Sequence, residues 1–205
     1  MQFDRAKLKD LILFACAQCD PSQMGAVKLH KVLYFSDMLH YADVGAPISG
    51  ATYKKRPMGP TCEQLLLTIS ELSAEGKLDV TNVDYFGYLK KQYVCKIDDI
   101  GRDIGRSLSD LEKLLVKDVV DFVCVNNTAR TISEFSHNKA WDAAEFGEEL
   151  PYFSVFQIFP AEVSEEAKGW AEREALELET ERSTKDPLDF VAFSDFRKRV
   201  HAAGI

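Results

Sequence analysis

The sequence predicts a mainly α fold with one small antiparallel β-hairpin (α+β): a single helical domain over residues 1–160 and a charged helical C-terminal extension over residues 161–205. Three observations carry this reading. Apolar residues recur at helical spacing through most of the chain. Only residues 78–97 hold paired runs rich in Val, Tyr and Phe, as strands do. Beyond residue 160 the composition turns strongly acidic, and 205 residues suffice for one good core but leave two full domains marginal.

The first helix is expected over residues 4–19, with Asp4 as its cap and Leu8, Leu11, Ile12, Ala15 and Cys19 as one apolar stripe. Asp20-Pro21 stops it. The second helix, residues 23–42, is apolar on most of its circumference around Val32 to Phe35 and Met38 to Ala42, which predicts the most enclosed position in the fold. Its polar residues His30, Asp37 and His40 share one side. A loop with Gly45, Pro47 and Gly50 follows, ending in a short strand at residues 51–54. Gly59-Pro60 is expected to open the third helix, because proline suits the first helical position. Leu65, Leu66, Ile69 and Leu72 form its stripe, and Gly76 ends it. Residues 78–88 and 92–97 make the hairpin. Ser109 with Glu112 forms a capping box for a fourth helix, with Leu111, Leu115, Val119 and Phe122 as its stripe, broken at Asn126-Asn127. Two short helices are expected around residues 131–134 and 139–146, then helical pieces at 160–182 and 187–200.

Composition excludes several classes of function. No apolar run approaches the ~20 residues that span a bilayer, and Met1-Gln2-Phe3-Asp4-Arg5 lacks the order of a signal peptide. Five cysteines without an export signal read as reduced thiols, so a cytoplasmic location is expected. The net charge of −8 disfavours polyphosphate partners. Residues 162–182 carry eight Glu, among them Glu172 and Glu174, against Lys168, Arg173 and Arg182. That stretch reads as a solvated helix face, with an acidic partner-facing surface as the other reading.

Chemistry is sparsely signalled. Cys16-Ala17-Gln18-Cys19 lacks a matched second ligand pair for zinc, since His30 and His40 are too far apart, and both thiols lie on an apolar face. Cys62, expected in a helix's first turn where thiolate is favoured, could pair with His137, but no third residue orients the base. The carboxylate pairs Asp98-Asp99, Asp118-Asp121 and Glu148-Glu149 lack the alternating spacing of a calcium loop. No catalytic residue, metal or cofactor is expected. The helix–helix–hairpin order also resembles a winged helix. A recognition helix facing outward with Glu63, Gln64, Thr68 and Glu71 has no basic residue, leaving Lys54, Lys55, Arg56, Lys90 and Lys91 for phosphates. A DNA-binding regulator is therefore the alternative, not the first reading. Aromatic clusters at Tyr85, Phe86 and Tyr88, and at Phe190, Phe193 and Phe196, are candidate protein-docking anchors.

Three motifs in order carry a family resemblance: Lys28-Leu29-His30-Lys31-Val32-Leu33-Tyr34-Phe35, then Met58-Gly59-Pro60-Thr61, then Ser136-His137-Asn138-Lys139-Ala140-Trp141. Over about residues 5–150 the chain resembles the SocA-like antitoxins, or Panacea domain. As scaffold residues, Lys28 and Lys31 would flank the central helix and the Tyr34 hydroxyl would find a buried partner. His137 would bond to the central helix, and Trp141 would cover the core's open side. The resemblance implies an antitoxin that neutralises a protein toxin, encoded by an adjacent gene, through direct contact. In some members an ATP-dependent protease receives the toxin.

Overall fold

The computed structural model describes residues 2–85, 87–96, 104–158, 168–170 and 172–177. The chain divides into two units, Met1–Pro160 and Ala161–Ile205. The first is mainly α with small antiparallel β elements: α1 (Arg5–Ala17), α2 (Ala26–Val44), β1 (Tyr53–Lys54), β2 (Thr61–Cys62), α3 (Leu65–Ala74), β3 (Leu78–Tyr85), β4 (Tyr88–Cys95), α4 (Asp110–Val120), α5 (Ala129–Phe135), α6 (Lys139–Ala143) and α7 (Val155–Ile158). A π-helical turn, Asp121–Val125, extends α4, and a 3-10 turn, Tyr152–Ser154, precedes α7. In the second unit the described residues are helical, and Glu172 and Glu174 are exposed.

Helix α2 is the axis of the first unit. Residues 31–38 are buried on every side, eight in succession, as expected of a helix apolar all round. Around it pack α1, α4, α5 and α7, with Leu8, Leu11, Ile12, Leu65, Leu72, Leu78, Val116, Val120 and Ile132 in the core. Local signals set the helix starts. Asp4 accepts from the Lys7 N–H, and Ser109 and Glu112 close a reciprocal capping box.

Five expectations are corrected. Helix α2 begins at Ala26, because the Gln23 N–H closes a turn onto the Asp20 carbonyl. Gly59-Pro60 does not open α3; Thr61–Cys62 instead pairs with Tyr53–Lys54 as a short ladder, and the helix starts at Leu65. Leu66 is exposed, and Thr68 takes a buried place in the stripe. In α4 the buried face is Glu112, Val116, Val119 and Val120, continuing to Val123, while Leu111 is 78% exposed. The cause is Glu112, which caps Ser109 and pairs at 2.7 Å with Lys7 of α1, turning that side of α4 inward. The hairpin turns earlier than expected: its strands are Leu78–Tyr85 and Tyr88–Cys95, not 78–88 and 92–97, and they pair in full, Leu78 facing Cys95 and Tyr85 facing Tyr88.

One buried carboxylate ties four segments together. Asp37 of α2 accepts from the Ser49 N–H (2.7 Å), the Ser49 hydroxyl (2.6 Å) and the Tyr53 hydroxyl (2.7 Å), with Tyr152 at 3.4 Å. The single Tyr152 proton goes to the Ala51 carbonyl at 2.6 Å. Burial raises the Asp37 carboxyl above its ordinary range, opposed by these donors. Asp37→Asn presents an amide donor to groups that themselves donate, and is expected to cost about 1.5 kcal/mol in urea unfolding at pH 7. An unchanged midpoint would show that the network does not hold β1 in place.

Candidate functional site

Strand β1 leads into a loop, residues 55–60, on which segments distant in sequence converge. Its stem is fixed by a third extended segment: the Lys55 N–H donates to the Glu148 carbonyl, the Gly147 N–H to the Lys55 carbonyl and the Leu150 N–H to the Tyr53 carbonyl. At its far end Lys31 reaches out of α2 and donates from Nζ to the Pro60 carbonyl at 3.1 Å. Lys31 is only 1% exposed, and among the described residues no carboxylate lies within ion-pair distance. Burial brings its ammonium down to about 7.

Gly59 makes this approach possible. Its φ is +90°, and a Cβ there would lie 2.3 Å from Ser136 Oγ and 2.4 Å from Lys31 Nζ. The α5 side completes the clamp: the Ser133 hydroxyl donates to the Met58 carbonyl (2.9 Å) and the Ser136 hydroxyl to the Ser133 carbonyl (2.7 Å). His137 bonds to the Pro57 backbone and stacks on Trp141 with ring centroids 4.0 Å apart. Trp141 Nε1 donates to the Arg56 carbonyl at 3.3 Å, and Lys55 Nζ sits 3.9 Å from the centre of the Trp141 ring.

Several sequence expectations change here. Lys31 is enclosed rather than flanking, whereas Lys28 is half-exposed and donates to the Cys124 carbonyl at 2.9 Å. His137 binds the loop, not the central helix. The Tyr34 hydroxyl is buried beside Asn138 without completing a hydrogen bond, as are His137 Nε2 and Asn138 Nδ2. Leu29, Leu33 and Phe35 are core, Pro60 is buried with Gly59, and Trp141 is half-buried. Phe86, Phe190, Phe193 and Phe196 lie outside the described residues, as do the side chains of Tyr85 and Tyr88.

The surface around the loop was not legible as a site. Arg56, Pro57 and Met58 are exposed above the buried Gly59 and Pro60. The Arg56 guanidinium stands 5.5 Å from the Phe146 ring, and Phe135 packs on Phe122 at 5.4 Å. Met58 and Phe146 are 52% and 66% exposed, whereas Phe135 belongs to an aromatic group with Phe35 and Phe122. No sequence spacing brings residues 56 and 146 together.

Beside the loop, a cavity of about 250 Å3 is lined by His30, Lys54, Arg56, Thr61, Cys62, Glu63 and Leu66. His30, not His137, is the imidazole next to Cys62: its Nδ1 accepts the Cys62 N–H at 3.1 Å. Burial lowers His30 to about 4 and raises Cys62 to about 12. A neutral imidazole spent on a backbone N–H and a fully protonated thiol make a poor nucleophile–base couple. Among the described residues no group of three or more His, Cys, Asp or Glu could hold a metal ion, and no helix is long and apolar enough to cross a membrane.

The family model described as antitoxin SocA-like, Panacea domain, matches residues 29–142, a little over half of the chain and nearly all of the three converging motifs. No curated protein and no solved structure matches.

Proposed function

The chain belongs to the SocA-like antitoxin family, and on that footing we propose that it neutralises a protein toxin by binding it through the rim of the Gly59-Pro60 loop. One observation carries the choice of surface. Lys31 of the first motif and His137 and Trp141 of the third bond the backbone of residues 56–60, and the exposed side chains beside them are Arg56, Met58 and Phe146. Exposed aromatics, methionine and arginine over a rigid base are the composition of interface anchors, and pre-ordering them reduces the entropy lost on binding. The acidic stretch with Glu172 and Glu174 supplements it by steering a basic toxin. The hairpin tip at Tyr85, Phe86 and Tyr88 and the aromatic tail at Phe190, Phe193 and Phe196 are accessory contacts in this reading. Handing the bound toxin to an ATP-dependent protease would follow the same encounter. Operator binding is less well supported, because α3 contains no Lys or Arg and turns Leu66 and Leu67 outward.

The test is co-expression with the product of the adjacent gene. The chain should restore growth and co-purify with that product in the cytoplasmic fraction. Met58→Asp combined with Phe146→Asp should weaken binding at least ~10-fold, as loss of interface anchors does, without moving the unfolding midpoint. Absence of both rescue and co-purification ends the reading. Full binding by the double variant, with loss on deleting residues 161–205, transfers the work to the tail.

A further inference from the structure

Segments distant in sequence meet at the cavity beside the Gly59-Pro60 loop: His30 comes from α2, Lys54 and Arg56 from β1 and the loop after it, and Glu63 from just past β2. Most of the polar groups there are already engaged. The Thr61 hydroxyl donates to the Gly59 carbonyl at 3.2 Å, and Lys54 Nζ meets Glu63 Oε1 at 2.6 Å. Two donors remain. His30 Nδ1 accepts the Cys62 N–H at 3.1 Å, so that nitrogen carries no proton and the neutral ring holds its proton on Nε2. Among the described residues nothing accepts from Nε2. The Arg56 guanidinium likewise makes no hydrogen bond or ion pair among them, with the Phe146 ring 5.5 Å away.

We propose that this cavity is a socket for a carboxylate, filled by an aspartate or glutamate side chain of the bound partner. The identity of the partner rests on the toxin-binding reading; the socket itself does not. Charge sets the class of ligand. Lys54 and Arg56 are cationic, Glu63 is anionic and His30 is neutral, so these four residues carry one net positive charge. A guanidinium and an imidazole N–H suit a carboxylate, which offers two oxygens and no proton. A cationic ligand would meet two like charges and an N–H with no lone pair to give. Size sets the source. About 250 Å3 falls below the ~300–1,000 Å3 of sites that enclose a whole small molecule, and suits a single side chain. Leu66, 67% exposed, borders the cavity and offers the methylenes of a glutamate an apolar wall. Arg56 both lines the socket and stands on the proposed rim, so a protein seated on that rim has its own side chains within reach.

The experiment titrates the full chain, isotope-labelled at histidine, with N-acetylglutamate α-amide and separately with the uncharged N-acetylglutamine amide at equal ionic strength. The His30 Nε2 resonance is followed by NMR. The expected result is a saturable shift in the millimolar range with the glutamate probe, none with the glutamine probe, and binding at least ~10-fold weaker in Arg56→Gln. Equal responses to the two probes, or a response that Arg56→Gln leaves unchanged, would overturn the socket. Succinate binding ~100-fold tighter than the glutamate probe would assign the cavity to a free dicarboxylate and overturn the side chain as occupant. With the adjacent gene's product present, the glutamate probe at about twice its own Kd should weaken that product's binding about 3-fold by mass action, and the glutamine probe should not. Binding indifferent to both probes would overturn the partner's side chain as occupant. If the product does not bind at all, the toxin reading fails and the partner's side chain with it, whereas the socket stands or falls on the first titration alone.

Discussion

Gly59→Ala is expected to lower the folding free energy by about 4 kcal/mol, combining positive-φ strain with overpacking. The new methyl group would fall within 2.4 Å of both Lys31 Nζ and Ser136 Oγ. Neither atom can retreat cheaply, since one is enclosed under Pro60 and the other is bonded to the Ser133 carbonyl. Gly76→Ala supplies the control: φ there is +70° with nothing within 4 Å, so only the conformational penalty of about 1 kcal/mol applies. Urea unfolding of both variants separates the two contributions. Equal losses would show that the clamp around Gly59 is loose, and with it the argument for a rigid rim.

Lys31→Met tests the ammonium beneath the loop through pH. Burial takes this group from 10.5 down to about 7. A base with a lowered folded pKa binds fewer protons when folded, so stability rises as pH climbs from about 7 towards 10.5. Below 7 both states carry the proton and the burial penalty is fully felt. Between pH 6 and 8.5 the group should add roughly 2 kcal/mol of stability, and the thiols that ionise over the same range in the unfolded chain are common to both proteins and cancel in the comparison. Methionine fills the same space without the charge, so the variant should lack that increment. Parallel stability–pH curves for the two proteins would mean that Lys31 reaches water when folded.

What could be read from the sequence was whatever is decided locally. The Ser109–Glu112 capping box and the Asp4 cap depend on neighbours a few residues apart and stand where their patterns put them, and α2 and the hairpin are present with shifted bounds. What could not be read depends on single contacts across the fold. Gly59-Pro60 has the signature of a helix start, yet a lysine 29 residues earlier claims the Pro60 carbonyl, and a β-ladder forms instead. The α4 stripe is turned by the pairing of Glu112 with Lys7, 105 positions away. A lysine in mid-helix ordinarily faces solvent, so nothing local marked Lys31 as enclosed.

The division within residues 56–60 has a consequence for how such a molecule could change its target. Gly59 and Pro60 are buried, while Arg56, Pro57 and Met58 are exposed. Support and address are thus carried by adjacent but independent positions. If the proposed rim binds the toxin, substitutions at the outer three would alter which molecule is recognised while the frame beneath stays folded, so a new specificity need not begin with a weakened protein.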